Sequence, residues 1–522
     1  MSAAGVGSAY CLCESGFVPI SLTAVLIASV PIDPKLFLCD RKAECSVLNF
    51  LSHKKRSAGA QDVNRRMSVK KGEIYEGIIE KVEYPNRGKV FVDGQPVIVK
   101  NGIPGQKIRF VIHKKRSGRA EGRILEVLEK SPLEMRDPVC SIFPACGGCM
   151  YQTMPYEEQL KMKEQQIREL MDKAVRGNYV FEGIHGSPVE FAYRNKMEFS
   201  FGDAWKDGPL TLGLHKKGST YDVLTASDCK LVHEDMTRIL CCVLEYFQKL
   251  GATYYRKMQH TGYLRHLLLR RGTGTGEILV HLITTTQAEY DLEPLKEALL
   301  ALPLEGEIVG IMHILNDSLA DVVQSDETRI LYGRDYFYEE LLGLKFKIST
   351  FSFFQPNSRG AEVLYSLVRD YIGDTRDQVV FDLYSGTGTI AQLLAEVARE
   401  VIGVEIVEEA VEAARTNARL NGLDNCRFIA GDVLKVLDEI PQKPDVIVLD
   451  PPRDGCHPRA LPKILKYGVD KIIYISCKAT SLARDLEMIQ EYGYQVERCT
   501  CVDQFCETVH VETVALLTRD VV

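Results

Sequence analysis

Two residues in the last fifth of the chain have types suited to covalent chemistry on an electron-poor ring. Cys477 follows the apolar run KIIYIS, a strand that would deliver its thiol to the edge of a sheet, and Glu512 lies in VHVETVALL near the C-terminus. A thiol can add to a carbon and be expelled again, and a carboxylate can remove a proton in between. A thiol in such a place can equally be a small buried hydrophobe. Upstream, Asp382–Ala391 reads DLYSGTGTIA, a glycine-rich turn after an apolar strand, and Glu405 closes the next strand, GVEIV. A backbone that approaches a ligand closely, followed by a carboxylate able to accept both hydroxyls of a ribose, fits an adenosine-bearing cofactor. A dinucleotide would use the same logic. The turn lacks the full G-x-G-x-x-G spacing, however. Asp432 ends the third strand at AGD, and the fourth ends in Asp450-Pro451-Pro452-Arg453. These features favour S-adenosylmethionine over a nicotinamide.

A second constellation is Cys140, Cys146 and Cys149, spaced C-x5-C-x2-C in CSIFPACGGCMYQ, with Cys229 far downstream in ASDCKLVH. Gly147 and Gly148 sit where a loop must fold tightly around a ligand. Four thiolates suit zinc or an iron–sulfur cluster equally well by count, and spacing alone leaves both open. It does differ from the C-x3-C-x2-C triplet of radical enzymes that use S-adenosylmethionine.

The elements that must hold these residues follow from periodicity. From 346 onward apolar strands alternate with amphipathic helices, a doubly wound α/β pattern with ligands expected at the carboxyl ends of the strands. Residues 67–130 read instead as five short strands with turns at Pro85-Asn86-Arg87-Gly88 and Asp93-Gly94, a small barrel. Lys114, Lys115, Arg116, Arg119 and Arg123 cluster at one of its hairpins, either as phosphate contacts or as a charged edge that blocks aggregation. Between these parts, Tyr156–Ala174 has the period of an amphipathic helix. Segment 254–271 interleaves Tyr254, Tyr255, Tyr263, Arg265, Arg270 and Arg271, a pattern suited to phosphate contact and base stacking or to a strand with a charged face.

The 522 residues suggest about three domains. The hydrophobic fraction of 45% and charged fraction of 26% exclude a disordered or fibrous chain. Net charge is −7, yet residues 67–130 hold 14 basic against 8 acidic residues and residues 376–522 hold 16 against 24. A basic module joined to an acidic one suits capture of a polyanion. Sixteen cysteines are too sparse for a disulfide scaffold. No run of 18 apolar residues suggests a membrane span, and the apolar stretch 16–30 lacks the basic flank of a signal peptide. Residues 1–66 form an extension of unclear status, and the functional chain is expected to begin at Met67.

Together, SCKATSLARDL, VHVETVALL, FFQPN, DLYSGTG, GVEIV and LDPPR resemble, in order, the motifs of the RNA uracil-5-methyltransferase family. The barrel and the four cysteines resemble its branch that methylates 23S ribosomal RNA, which has a TRAM domain and a [4Fe–4S] cluster. The resemblance implies an α/β, Rossmann-like class I methyltransferase domain (346–522), an N-terminal OB-like β-barrel (67–130), and a central α+β domain (131–345) holding the cluster. It implies Cys477 as nucleophile and Glu512 as base; Gln355, Tyr384, Glu405 and Asp450 as contacts of S-adenosylmethionine; and Cys140, Cys146, Cys149 and Cys229 as cluster ligands. Arg453 is a candidate for holding the flipped nucleotide. The expected partner is RNA, most of all 23S ribosomal RNA, with transfer RNA as alternative. Neither a membrane nor an obligate protein partner is expected, and the location is expected to be cytoplasmic. Two stretches depart from the family: Lys478-Ala479 stands where it usually has Asn-Pro, and Gln504-Phe505-Cys506-Glu507 where it usually has Met-Phe-Pro-His.

Overall fold

A computed structural model describes residues 69–116, 119–320 and 322–519. The expectations for residues 1–66 lie outside the described residues.

Alternating apolar residues build the first sheet. Its six strands are Ile74–Ile78, Lys81–Glu83, Arg87–Val92, Gln95–Val99, Lys107–Arg116 and Arg119–Glu129. They are ordered first, fifth, sixth, fourth, third, second. The two strands at the ends of this order are successive halves of one extended run, so the sheet curls back on itself around Val90, Val97, Val99, Ile108 and Phe110. Asp93 and Gly94 both take positive φ, the geometry of a tight two-residue hairpin.

The middle of the chain forms a seven-stranded sheet. Its order is Val223–Thr225, Leu210–His215, Lys196–Asp203, Leu264–Arg271, Glu277–Thr284, Glu307–Leu315 and Glu327–Gly333. Helix Glu234–Lys249 covers one face with Met236, Ile239, Leu240, Val243 and Phe247, the spacing of a single helical stripe. The basic segment of 254–271 lies largely inside this sheet. Arg265 is buried and donates to the carbonyls of Asn316, Ser318 and Ala320.

The third sheet has eight strands in the order Cys426–Ala430, Ala398–Glu405, Thr375–Leu383, Val446–Leu449, Lys471–Ser476, Glu512–Arg519, Tyr494–Val502 and Val180–His185. The first five are parallel, and Glu512–Arg519 enters antiparallel. Both faces are covered. Leu364, Val368, Ala391, Leu394, Val411 and Ala414 pack with Val380, Val448 and Ile473 on one side. Leu461, Ile464, Leu482 and Leu486 pack with Phe381, Ile447 and Ile472 on the other. Helix Tyr156–Ala174 adds Ile167 and Met171 to this second layer. The strand Val180–His185, from within 131–345, pairs parallel with Tyr494–Val502 at the sheet edge. No described helix is long and apolar enough to cross a membrane.

Candidate active site

The strand order reverses between Thr375–Leu383 and Val446–Leu449, which opens a crevice at the carboxyl ends of the strands. The residues at this edge are the ones singled out above. Leu383 pairs with Val404 and with Leu449, which brings Tyr384, Glu405 and Asp450 alongside one another. Further along, the antiparallel register pairs Ser476 with Thr513, so its next step sets Cys477 opposite Glu512.

The electrostatics follow from burial. Glu512 is 3% exposed, and burial, reinforced by the Asp450 carboxylate and opposed by Arg453, pushes its carboxyl up to about 8. Burial pushes Asp450 up to about 7. The Cys477 thiol is pushed up to about 12 by burial and by Glu512 and Asp450, while Arg453 pulls the other way. Cys477, Glu512, Asp450 and Arg453 therefore share one field. A ligand that brings positive charge into the crevice would favour the ionised forms of both carboxyls. Tyr84, in the turn after the strand Lys81–Glu83, faces the same group, and its phenol lies among Ala479, Glu512 and Cys477. Sequence reasoning missed it, because only the packing of the first sheet brings it there.

On the other side of the crevice the glycine turn is shaped for a ligand. Gly386 has φ +54° with open space where a Cβ would be. Its N–H donates to Glu405 at 3.0 Å, and the same carboxylate accepts from Val407 N–H at 3.0 Å. Tyr384 also has positive φ, and its N–H donates to the Val404 carbonyl. The Ser385 hydroxyl is buried with no partner. Asp432 caps the helix Val433–Val436 through the Leu434 N–H. Gln355 is 9% exposed and lies beside the phenol of Tyr365, which also feels Asp450, Glu512 and Asp382.

Cys140, Cys146, Cys149 and Cys229 line one small recess, with Leu214 and Leu231 beside them. All four are buried free thiols. Burial pushes Cys229 up to about 11, and Cys146 and Cys149 are also raised. Among the described residues no three His, Cys, Asp or Glu side chains converge on the position of one metal ion. The recess nevertheless gathers all four cysteines.

The loop 503–511, which departs from the family pattern, carries unforeseen contacts. Lys163 and Asp503 form a fully buried ion pair at 2.9 Å. Glu507, at positive φ, accepts from Arg136 and from Gln159, and its carbonyl accepts from Met150 N–H beside Cys149. Lys163 and Gln159 look like solvent-facing positions on helix Tyr156–Ala174, yet both point inward. Arg453 meets the His510 ring at 3.2 Å. Arg194 stacks over Phe505 at 5.8 Å.

Residues 374–504 match the family described as Methyltransferase domain. A solved structure, the Pyrococcus abyssi tRNA (uracil-54, C5)-methyltransferase in complex with S-adenosyl-L-homocysteine, superposes with a TM-score of 0.67 at 24% identity. It covers 85% of this chain and 100% of its own, and shows that the fold is shared. An uncharacterized RNA methyltransferase of Clostridium tetani is 50% identical over 453 residues, 87% of this chain and 99% of its own. Another, from Caldanaerobacter subterraneus, is 46% identical over 449 residues, 86% and 99%. The fold and the crevice are those of a methyltransferase. More particularly, the chain belongs to the RNA methyltransferase family to which these two relatives belong.

Proposed function

We propose that this protein transfers a methyl group from S-adenosylmethionine to carbon 5 of a uridine in RNA, through a transient bond between Cys477 and carbon 6. The observation that carries the proposal is Cys477 opposite Glu512 at the strand edge that also holds Asp450 and Glu405. Gln355, Tyr384, Glu405 and Asp450 would hold the cofactor; the open glycine cradle and the partnerless Ser385 hydroxyl leave room and a polar group for it. When bound, it supplies an electrophilic methyl group, the sulfur keeping the electron pair of the broken sulfur–carbon bond so that S-adenosylhomocysteine is left.

Carbon 5 of uracil is a weak nucleophile. The Cys477 thiolate adds to carbon 6, and the ring electrons move to give an enolate whose carbon 5 takes the methyl group. Glu512 then removes the proton from carbon 5, the double bond reforms, and the thiolate leaves with the electrons of its bond to carbon 6. Arg453, which favours the charged forms of both groups, assists the first addition. The base must leave its stack to reach this crevice.

The favoured target is 23S ribosomal RNA, with the curled N-terminal sheet as a TRAM-type RNA-binding barrel. The four cysteines are read as ligands of a [4Fe–4S] cluster. Four cysteine side chains around one recess match the ligand count of such a cluster, as they do that of zinc, and the resemblance of the barrel and cysteine set to the cluster-bearing branch favours the cluster. Its place is structural, since methyl transfer moves no net electrons. Anaerobically purified protein should be brown; a colourless protein with bound zinc would refute the cluster. The same chemistry on transfer RNA is the second reading, supported by the solved Pyrococcus abyssi protein. Mass-spectrometric mapping of the methyl group decides between them. The decisive test of the chemistry is a pair of variants. Cys477→Ala should abolish methylation, and Glu512→Gln should accumulate a protein–RNA adduct that survives denaturant. Full activity of Cys477→Ala would instead indicate methylation of an exocyclic amine.

A further inference from the structure

The central sheet presents two cations to one place, neither of them paired with a carboxylate among the described residues. Strand Leu264–Arg271 alternates: Leu267 and Leu269 pack beneath helix Glu234–Lys249, while Leu268 joins the core facing the methyltransferase half. Arg270 has the same parity as Leu268, and its register partner on the neighbouring strand is Lys196. Arg270 is 2% exposed, the largest fully buried side chain of the described residues. Its Nε has no partner, and its guanidinium donates only to the Ser352 carbonyl. Neither Arg270 nor Lys196 has a carboxylate within 4.0 Å among the described residues. Glu198, two residues along the strand from Lys196, approaches His266 at 3.7 Å and acts on Lys196 only at longer range. His281, on the same face, is kept neutral by burial and by these two cations.

A guanidinium cannot shed its charge, so burying one without an anion is costly. Such a site is complete only when an anion arrives. The surroundings indicate which anion. Lys196 is half-buried and opens the site to solvent. The segment that covers Arg270 exposes two phenyl rings, Phe351 at 50% and Phe353 at 57%. Arg194, two residues before Lys196, continues the cationic row toward His510 and Arg453. Cations beside exposed rings are the elements that bind a single-stranded nucleic acid.

We propose that Lys196 and Arg270 form an anion site for a backbone phosphate of the RNA substrate, flanked by Phe351 and Phe353 as stacking surfaces. The proposal rests on membership of the RNA methyltransferase family and not on the uridine chemistry, and its test involves no turnover.

The test measures affinity of the full-length protein for an in vitro transcript of 23S ribosomal RNA, and in parallel for unmodified transfer RNA, against salt concentration. Lys196→Gln should weaken binding about tenfold at low salt and reduce the slope of log K against log salt by about one. Arg270→Gln should do the same if it folds; Lys196→Gln, on a half-buried side chain, keeps the test open if it does not. Phe351→Ala and Phe353→Ala should weaken binding without changing the slope. S-adenosylhomocysteine affinity, by equilibrium dialysis, should be unchanged in Lys196→Gln. An unchanged salt slope in folded Lys196→Gln overturns the proposal. Loss of S-adenosylhomocysteine binding with an unchanged slope overturns it too, and assigns the anion to the carboxylate of the cofactor.

Discussion

Cys477 and Glu512 face each other one step past the Ser476–Thr513 pair, on adjacent antiparallel strands. Their spacing is therefore fixed by backbone hydrogen bonds between two central strands rather than by loops. Groups that must act on opposite edges of one base gain from such rigid placement, because little motion has to be frozen at the moment of reaction. The cost is burial of a carboxyl and a thiol among other acids.

That cost sets the pH dependence. Burial and Asp450 push Glu512 up to about 8, so at neutral pH the ligand-free base is largely protonated. The thiol, pushed up to about 12, is protonated as well. Both reacting forms are the deprotonated ones, so kcat/KM should rise with pH between about 6 and 9. Arg453 lowers both groups, so Arg453→Met should move the ascending limb to higher pH and reduce kcat/KM most at neutral pH. Rate profiles of the two proteins check this; an unmoved limb refutes the role given to Arg453.

The same carboxyl should weaken the fold as pH rises. Its folded value lies above the ordinary carboxylate range, so between about 4.5 and 8 the folded protein binds more protons than the unfolded chain. Stability is greatest below that window and declines through it. Glu512→Gln removes this loss and should stabilise the protein on the order of 2–4 kcal/mol at pH 8.5 but little at pH 5. Melting curves at the two pH values test the sign, and equal effects at both would contradict it.

The methyltransferase half was legible because its signals are local: a glycine turn, an acid at a strand end and a cysteine after an apolar run each lie within a few residues. The positions of Lys163, Gln159 and Tyr84 were not. Lys163 occupies a polar position on an amphipathic helix, and only the distant Asp503 reveals that it points inward. Arg265 and Arg270 misled for a similar reason. Basic residues in an apolar strand suggest a charged face, yet here carbonyls of other segments satisfy Arg265 and leave Arg270 uncompensated. The cysteine set was legible as a set, since three members are close in sequence. Its geometry depends on Cys229, eighty residues downstream.

The loop that carries Arg453 is pinned by the helix that follows Cys477. Asp485 accepts the Cys456 N–H at 2.8 Å and the Tyr474 hydroxyl at 2.7 Å. Ser481 donates to the Arg453 carbonyl at 2.7 Å. One helix, Ala479–Glu491, therefore positions both the segment after Cys477 and the Arg453 loop. Asp485→Asn should lower kcat several-fold and shift the pH limb as Arg453→Met does, with S-adenosylhomocysteine affinity kept. A purely structural residue would cost stability, about 1–3 kcal/mol for lost buried hydrogen bonds, without moving the limb.

Two glycines of the Asp382–Ala391 turn separate backbone strain from crowding. Both take positive φ, Gly386 at +54° and Gly388 at +73°. A Cβ on Gly386 would meet nothing within 4 Å, whereas one on Gly388 would stand 2.5 Å from the Phe428 ring and 2.8 Å from the Ala414 methyl. Phe428 and Ala414 belong to the core that supports the turn, so neither can yield without moving the helix Glu408–Leu420 or the strand Cys426–Ala430. Gly386→Ala should therefore cost only the conformational penalty of about 1 kcal/mol. Any loss of cofactor affinity would then come from a methyl group in the ligand's space. Gly388→Ala adds overpacking, typically 1–3 kcal/mol, and should lower the melting temperature markedly more. Melting temperature and S-adenosylhomocysteine affinity measured on both variants distinguish the two effects; equal destabilisation would show that the crowding at Gly388 is relieved by movement of Phe428.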